Sequence, residues 1–292
     1  MIADFYRAFE NRYRGPREQI KSRLAVYLPF VLPVKQFYGV CQCIDLGCGR
    51  GEWLELMQGN GIDAQGVDLD QGMLEAARER GLNATHGDVI QSLQSLESES
   101  QMLVTGFHLA EHLPFDALQI LIQESLRVLK PGGLLILETP NPENIVVGTS
   151  GFYFDPTHQR PIPFQLLSFM VEYAGFEKVK ILRLHEPYGS AANNSSSLWV
   201  VLYGVSHDYA VVAQKAGAPE IVAATAPAFE ADYGLSLESL ANSHEARIQQ
   251  AEAKAQQIEA KAQQIEAKVE QLWRLVAPIR AVNRLVRRLF HL

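Results

Sequence analysis

The run IDLGCGRGEW at positions 44–53 constrains this chain more than any other stretch. An apolar run ends near an acid, three glycines follow at every second position, and helix-forming residues resume at once. Glycine enters left-handed backbone at little cost and lets the chain approach another group where a Cβ would clash. A strand, a tight turn and a helix in this order open an α/β unit. The same alternation continues from 39 to about 215. Strands are expected at 40–46, 64–69, 83–86, 102–107, 134–138, 179–184 and 209–214. Helices are expected at 52–58, between an N-cap at Asp70 and a stop at Gly81, at 115–129 before Pro131-Gly132-Gly133, and at 163–173 before Gly175. This pattern predicts a mostly parallel sheet with helices on both faces.

The turn is poorly suited to phosphate. A phosphate loop needs Lys and Ser or Thr after its last glycine; here Glu52 and Trp53 follow Gly51. A dinucleotide fingerprint needs a third small residue at its sixth position; counting from Gly47, that position is Glu52. A nucleoside without phosphate remains. Asp68, in GVDLD, stands where an acid takes both ribose hydroxyls, with Leu69 beside it. Asp88, in HGDV, could accept from an adenine amino group, with Val89 against the ring. Asp45 could meet an ammonium or brace the loop. A ligand with an adenosine end and a cationic end is S-adenosylmethionine.

At this point DLGCGRG resembles the first motif of the class I S-adenosylmethionine-dependent methyltransferases. GVDLD, HGDV, GFHLAEHL and RVLKPGGLLILETPN resemble the later motifs, in order, over residues 39–215. The resemblance implies a Rossmann-like seven-stranded sheet whose last strand is antiparallel. It implies that Gly47, Cys48, Gly49 and Gly51 line the cofactor and that Phe107 and His108 lie near its methionine part.

Methyl transfer to a hydroxyl needs a base, and ligands of open α/β sheets bind beyond the carboxyl ends of the strands. The loop after the fifth strand carries GFYFDPTHQRP, with Tyr153, Asp155, His158 and Arg160. His158 is the expected general base; its bland alternative is a loop-shaping hydrogen bond. Arg160 could hold an anionic acceptor. After the fourth strand, Glu111 and His112 could meet the acceptor or a divalent ion, but two adjacent residues do not make a full site, so no resident metal is expected. Residues 1–38, rich in Tyr and Arg, read as a helical cap in which Tyr6 and Arg7 could contact the acceptor.

Residues 216–243 read as an Ala- and Pro-rich linker with a short helix. From 244 to 276 a seven-residue repeat places Ile248, Ala255, Ala262, Val269 and Val276 in one phase, and Ala251, Ile258, Ile265 and Leu272 in the other. Glu252, Glu259 and Glu266 flank one side of this seam and Lys254, Lys261 and Lys268 the other. That is a coiled-coil pattern, and self-association is expected. Pro278 is expected to break the coil. Residues 277–292 form a basic amphipathic tail suited to an anionic membrane surface or to a membrane-associated glycosyltransferase.

The net charge is −7; residues 271–292 hold five arginines and no acid, so residues 1–270 carry −12. An acidic body argues against nucleic acid as partner. Cys41, Cys43 and Cys48 read as buried reduced thiols. The charged start and the lack of a spanning segment predict a cytoplasmic protein, peripheral on the inner face of the cell membrane. The whole pattern looks similar to methyltransferases of bacterial polysaccharide (O-antigen) clusters, some of which cap a growing glycan. O-methylation of a surface-glycan terminus is the leading expectation. The alternatives are a small membrane-associated metabolite such as a quinone precursor, and a non-enzymatic scaffold.

Overall fold

The computed structural model describes Arg12 and residues 15–188 and 197–289. In chain order it contains α1 (Arg17–Leu24), a 3-10 turn (Ala25–Tyr27), α2 (Leu28–Lys35), β1 (Gln42–Leu46), α3 (Glu52–Gly59), β2 (Asp63–Asp68), α4 (Gln71–Arg78), β3 (Asn83–His86), α5 (Val89–Ser95), β4 (Gln101–Phe107), α6 (Phe115–Val128) and β5 (Leu129–Pro140). There follow α7 (Phe164–Ala174), β6 (Lys178–Leu184), α8 (Leu198–Tyr203), β7 (Asp208–Gln214), α9 (Pro219–Glu230) and α10 (Leu237–Leu289).

The seven strands form one sheet in the order β3-β2-β1-β4-β5-β7-β6. Strand β7 runs antiparallel to both neighbours, and the rest are parallel. The order reverses between β1 and β4, which places a crevice beyond their carboxyl ends. Strands β4 and β5 are buried along nearly their whole length, as central strands covered on both faces must be. One face packs Trp53, Leu54, Met57 and the N-terminal helices; the other packs α5, α6 and α7.

The N-terminal segment is part of this core. Leu24, Tyr27, Phe30, Val31 and Val34 are all buried in it. At about 1.5–3 kcal/mol for each large apolar side chain, such burial joins the segment to the sheet as an integral layer. Two cations of this segment, Arg17 and Lys21, are committed within the fold. Arg17 donates to the carbonyls of Arg50 and Gly51 at 2.8 and 3.1 Å and to Glu55 at 2.6 Å, and Lys21 reaches Glu55 at 2.8 Å.

The structure adds to the expected elements and corrects one. Within the expected linker and short helix at 216–243, α9 spans Pro219–Glu230 and packs onto the body through Phe229, 5.2 Å from Phe30 between ring centroids. Its Pro219 stands in the first turn, where the missing amide costs nothing. Pro278 does not break the helix, because α10, 53 residues in all, runs through it from Leu237 to Leu289. Among the described residues α5 and α8 are helices that the periodicity did not reveal, since six or seven residues hold too few turns to establish a period.

Gly51 generates a test. It caps α3 at φ +77°, and an added Cβ would fall 2.8 Å from Leu82 Cδ1 and 3.2 Å from Ala77 Cβ. Gly51→Ala should lower stability by about 1–3 kcal/mol in urea unfolding. An unchanged midpoint would show that the turn is not held as described.

Candidate active site

The glycine turn lies over the crevice. Gly47, Gly49 and Gly51 all take left-handed φ, +71°, +51° and +77°. The amides of Gly47 and Cys48 donate to the Val67 carbonyl at 2.8 and 3.1 Å, which laces the turn to β2. Asp68 ends β2. Its Oδ2 accepts from the Gly49 amide and its Oδ1 from the Asp70 amide, both at 2.8 Å. Each carboxylate oxygen keeps a further lone pair, so Asp68 is fixed in place and still able to accept two hydroxyls. Leu69, 66% exposed, offers apolar surface beside it. Asp88 caps α5, its Oδ1 accepting from the Ile90 and Gln91 amides at 3.0 Å each, which leaves Oδ2 for an incoming donor. An acid with spare acceptors, an exposed leucine and a bare turn together fit an adenosine.

Several expected contacts change meaning. Gly51 is bare because Leu82 and Ala77 crowd it, a packing need rather than a ligand cradle. The Cys48 side chain fills the space above Gly66, where a Cβ would come 2.5 Å from its Sγ, so Cys48 can meet a ligand only through backbone. Val89 turns into the core with Val67 and Leu93. Asp45 is buried and accepts from Thr105 Oγ1 at 2.7 Å, as a brace would. Phe107 packs against Tyr27 and Trp53 at 5.4 and 5.1 Å, under the turn.

Beyond β4, His108 takes φ +53°, a left-handed conformation uncommon outside glycine, although histidine enters it more readily than most residues. Its Nδ1 lies 3.3 Å from Glu111 Oε1, and its Nε2 lies 3.3 Å from Glu138 Oε1 and 3.9 Å from Asp208 Oδ1. Buried Tyr27 donates its hydroxyl to Glu138. His185, also left-handed at φ +66°, pairs with Asp208 at 2.8 Å. The His108 side chain is 46% exposed; what desolvation it suffers lowers its affinity for a proton, and Asp208, Glu111 and Glu138 outweigh this and hold the pKa well above the usual histidine value. Burial likewise opposes the ionised forms of Asp208 and Glu111, but the charge and hydrogen bonding of the neighbouring histidines prevail and lower both carboxyls.

Glu111, expected near the acceptor, is fully buried and receives the Thr139 hydroxyl on Oε2 at 2.8 Å. His112 and His158 meet edge to face, 4.7 Å between ring centroids. His158 Nδ1 lies 2.6 Å from the Phe152 carbonyl, and its Nε2 points toward Glu111 Oε1 and Asp155 Oδ2, each at 3.9 Å. Asp155 accepts from the Thr157 hydroxyl at 2.6 Å, and His112 Nδ1 lies 3.0 Å from that hydroxyl oxygen. Burial lowers the His112 pKa, which favours the neutral ring. Tyr153 is exposed at the rim, and Arg160 stacks on Phe115 at 4.6 Å, away from this cluster. Tyr6 and Arg7 lie outside the described residues.

Sequence reasoning missed Tyr27, Glu138, His185 and Asp208. Glu138 had a signal, an acid closing an apolar strand in LLILETP. His185 and Asp208 are brought in by the pairing of β7 with β5 and β6, and Tyr27 by the packing of the N-terminal segment on the sheet.

A methyltransferase-domain family model matches residues 44–137. A SAM-dependent methyltransferase from Archaeoglobus fulgidus superposes with a TM-score of 0.62 at 32% identity, covering 72% of this chain and 100% of that one. A SAM-dependent methyltransferase from Mesorhizobium loti, 16% identical with a TM-score of 0.50, covers 65% of this chain and 98% of its own, a likeness of fold alone. The ubiquinone biosynthesis O-methyltransferase of Xanthomonas oryzae is 32% identical over 146 residues, 47% of this chain and 60% of its own length. The chain spans 51% to 60% of the length of the first curated relatives it matches.

The ion network around His108 sets a pH dependence. A histidine whose folded pKa is raised stabilises fully below its unfolded value, near 6.5, and loses this as pH rises through the folded value. Carboxyls whose folded pKa is lowered stabilise fully above about pH 4.3 and lose this as pH falls through the folded value. Glu111, Glu138, Asp208 and His185 all face His108 here. His108→Gln should therefore cost most stability near about pH 5.5, with the gap from the parent narrowing at alkaline pH in urea unfolding. A gap of constant size would contradict the network.

Proposed function

Because the chain belongs to the class I S-adenosylmethionine-dependent methyltransferases, we propose that it transfers a methyl group to a hydroxyl oxygen of an acceptor seated at the carboxyl edge of the sheet. The observation that carries this reading is the gathering of Glu111, His112 and His158 two to three residues from Leu109 or across the next loop. Leu109 itself lies 3.3 Å from where a Gly47 Cβ would be. Lone pairs that can take a hydroxyl proton thus stand next to the cofactor turn.

The cofactor, when bound, supplies a methyl already activated on a sulfonium. What remains for the protein is holding, alignment and proton removal. Asp68 holds the ribose, Asp88 the amino group, and the backbone of Gly47 and Gly49 lines the nucleoside. Alignment of the acceptor oxygen can contribute about 7–11 kcal/mol. A carbonyl can only accept, so the 2.6 Å contact with Phe152 keeps the proton of His158 on Nδ1 and its lone pair on Nε2. Proton removal by such a cluster contributes about 10²–10⁴-fold.

The acceptor that fits the rim is a glycan terminus. Tyr153, Phe154 and Trp199 are exposed, with Trp199 stacked on Tyr203 at 5.4 Å, and flat aromatic faces suit sugar rings. A second reading, a quinone precursor, is favoured by the likeness to ubiquinone biosynthesis O-methyltransferases. Helix α10 is read as self-associating in parallel, so that each Lys of one chain meets a Glu of the next. The basic end is read as docking on an anionic membrane or a membrane-associated glycosyltransferase. Among the described residues no helix is long and apolar enough to cross a membrane.

Three measurements test this. Labelled cofactor offered with lipid-linked glycan and, separately, a quinone precursor should mark the glycan; label in the quinone alone would select the second reading. Asp68→Ala should weaken cofactor binding in calorimetry by about tenfold or more, since two hydroxyl acceptors are lost; parental affinity would remove the ribose role. Ile258→Lys with Ile265→Lys should shift the full-length chain to monomer in sedimentation, and an unshifted mass would end the coiled-coil reading.

A further inference from the structure

At the base of the loop after β5 lies an open-sided cavity of about 740 Å³, within the range of about 300–1,000 Å³ that small-molecule sites occupy. Both ends of that loop line it, Glu143 at one and Pro163, Phe164 and Gln165 at the other, and the root of α10 adds Leu237 and Glu238. Arg183, near the end of β6, completes the wall. Its guanidinium is held in one pose. The Nε donates to Glu143 Oε2 at 2.7 Å, and the group lies over the Phe164 ring, 4.8 Å from the centroid. Glu143 is fixed in turn, its Oε1 accepting from the Leu237 amide at 3.1 Å. Only one donor of the fork is thereby used. Nη1 and Nη2 have no hydrogen-bond partner among the described residues, although the side chain is just 21% exposed. Gln165 and Glu238, both exposed, add an amide and a second carboxylate.

These groups select a class of ligand. Two carboxylates, Glu143 and Glu238, stand against one guanidinium, so the cavity disfavours a further anion such as phosphate or a uronate. A donor fork, an amide and carboxylates with lone pairs to spare suit groups that both donate and accept, and sugar hydroxyls do both. A fork already set by an ion pair and a ring loses little freedom when it binds. We propose that the cavity is a saccharide subsite for a neutral sugar unit behind the one being methylated. The Arg183 fork and Gln165 donate to its hydroxyls, and Glu143 and Glu238 accept from them. The position of the cavity supports this. Pro163 stands five residues after His158, at most about 18 Å of extended chain, so a glycan whose terminus meets His158 reaches the cavity within a few units. Leu237 in its wall packs in one cluster with Val200, next to the exposed Trp199, so the cavity and the aromatic rim flank the same helix root. The use of the cavity during methylation rests on the glycan reading above; binding of a sugar there does not.

The test uses the full-length chain with uncharged tetrasaccharides of glucose, of mannose and of galactose, and with tetragalacturonate and inorganic phosphate as anionic probes. Calorimetry should show saturable binding of a neutral tetrasaccharide and weaker binding, or none, of the anions. Arg183→Lys keeps the charge and loses the fork; it should weaken that binding by about tenfold or more. Gln165→Ala alters an exposed side chain and should weaken it by about threefold or more. In both, S-adenosylhomocysteine binding, which reports an intact fold, stays parental. No saturable binding of any neutral probe, tighter binding of either anion, or neutral binding that both substitutions leave unchanged overturns the site. In methylation assays Arg183→Lys should raise KM for the tetrasaccharide while its kcat, and KM for the methyl glycoside of the same single sugar, stay parental. A KM that moves for neither acceptor, or equally for both, overturns the placement behind the methylated unit. Binding that the substitutions weaken, in a protein that methylates no glycan, upholds the site and overturns the glycan reading instead.

Discussion

The crevice depends on the carboxylate of Glu138. It ends the central strand β5 and is almost completely buried. Tyr27 reaches it from the N-terminal layer, His108 from beyond β4 and His185 from beyond β6, with Asp208 at the start of β7 completing the group. A buried carboxylate without partners would be strongly disfavoured. Its partners come from three separate parts of the chain, so those parts must be in place together. Both histidines take left-handed backbone to reach it. Local strain of about 1–3 kcal/mol at each persists only where the surroundings fix the geometry, and the ion network does this.

The same network couples the two halves of the site. Asp68 and the glycine turn belong to β1 and β2, whereas Glu111 and His158 belong to the loops after β4 and β5. Between them stand His108, which pairs with Glu111, and the ring cluster of Tyr27, Trp53 and Phe107 below the turn. Arg17 adds a second tie, holding the carbonyls of Arg50 and Gly51 from outside. The N-terminal layer therefore sets the position of the turn through Arg17 and the position of His108 through Tyr27 and Glu138.

The architecture was legible because strands and longer helices repeat their pattern often enough to be read. The seven strands stand within a few residues of their expected places, and Asp70 and Gly175 cap the helices assigned to them. Individual contacts were less legible. Gly51 and Cys48 sit in a cofactor motif, yet packing against Leu82 and Gly66 decides what they do. Glu111 and His112 were visible as a pair; their meeting with His158, 46 residues after His112, depends on how the loop after β5 folds back. Proline misled twice. At Pro219 the helix starts where no amide bond is lost, and at Pro278 one lost bond, about 3 kcal/mol, is set against a helix of 53 residues whose exposed carbonyls can turn to water.

The long helix has a position that bears on the acceptor. At about 1.5 Å per residue, α10 extends roughly 80 Å. Its root is fixed: Leu240 and Leu237 pack with Val205 and Val200 at the end of α8, and the Leu237 amide donates to Glu143 at 3.1 Å. Helix α8 carries Trp199 and Tyr203 and is tied by Asn144 to the loop after β5, the loop that later brings in His158. The helix thus leaves the body beside Trp199 and Tyr203, on the rim proposed to take the acceptor, while its seam residues Ile258, Ile265 and Leu272 remain 60% or more exposed. A pull or a pairing along that seam would act first on α8 and on the segment holding Glu143 and Asn144. It would reach the cofactor turn through the ion network around Glu138, or through α9 and the N-terminal layer on which Phe229 packs. The physical consequence is an asymmetry: association of the helix has a short path to the acceptor loop and a longer, stiffer one to the nucleoside site.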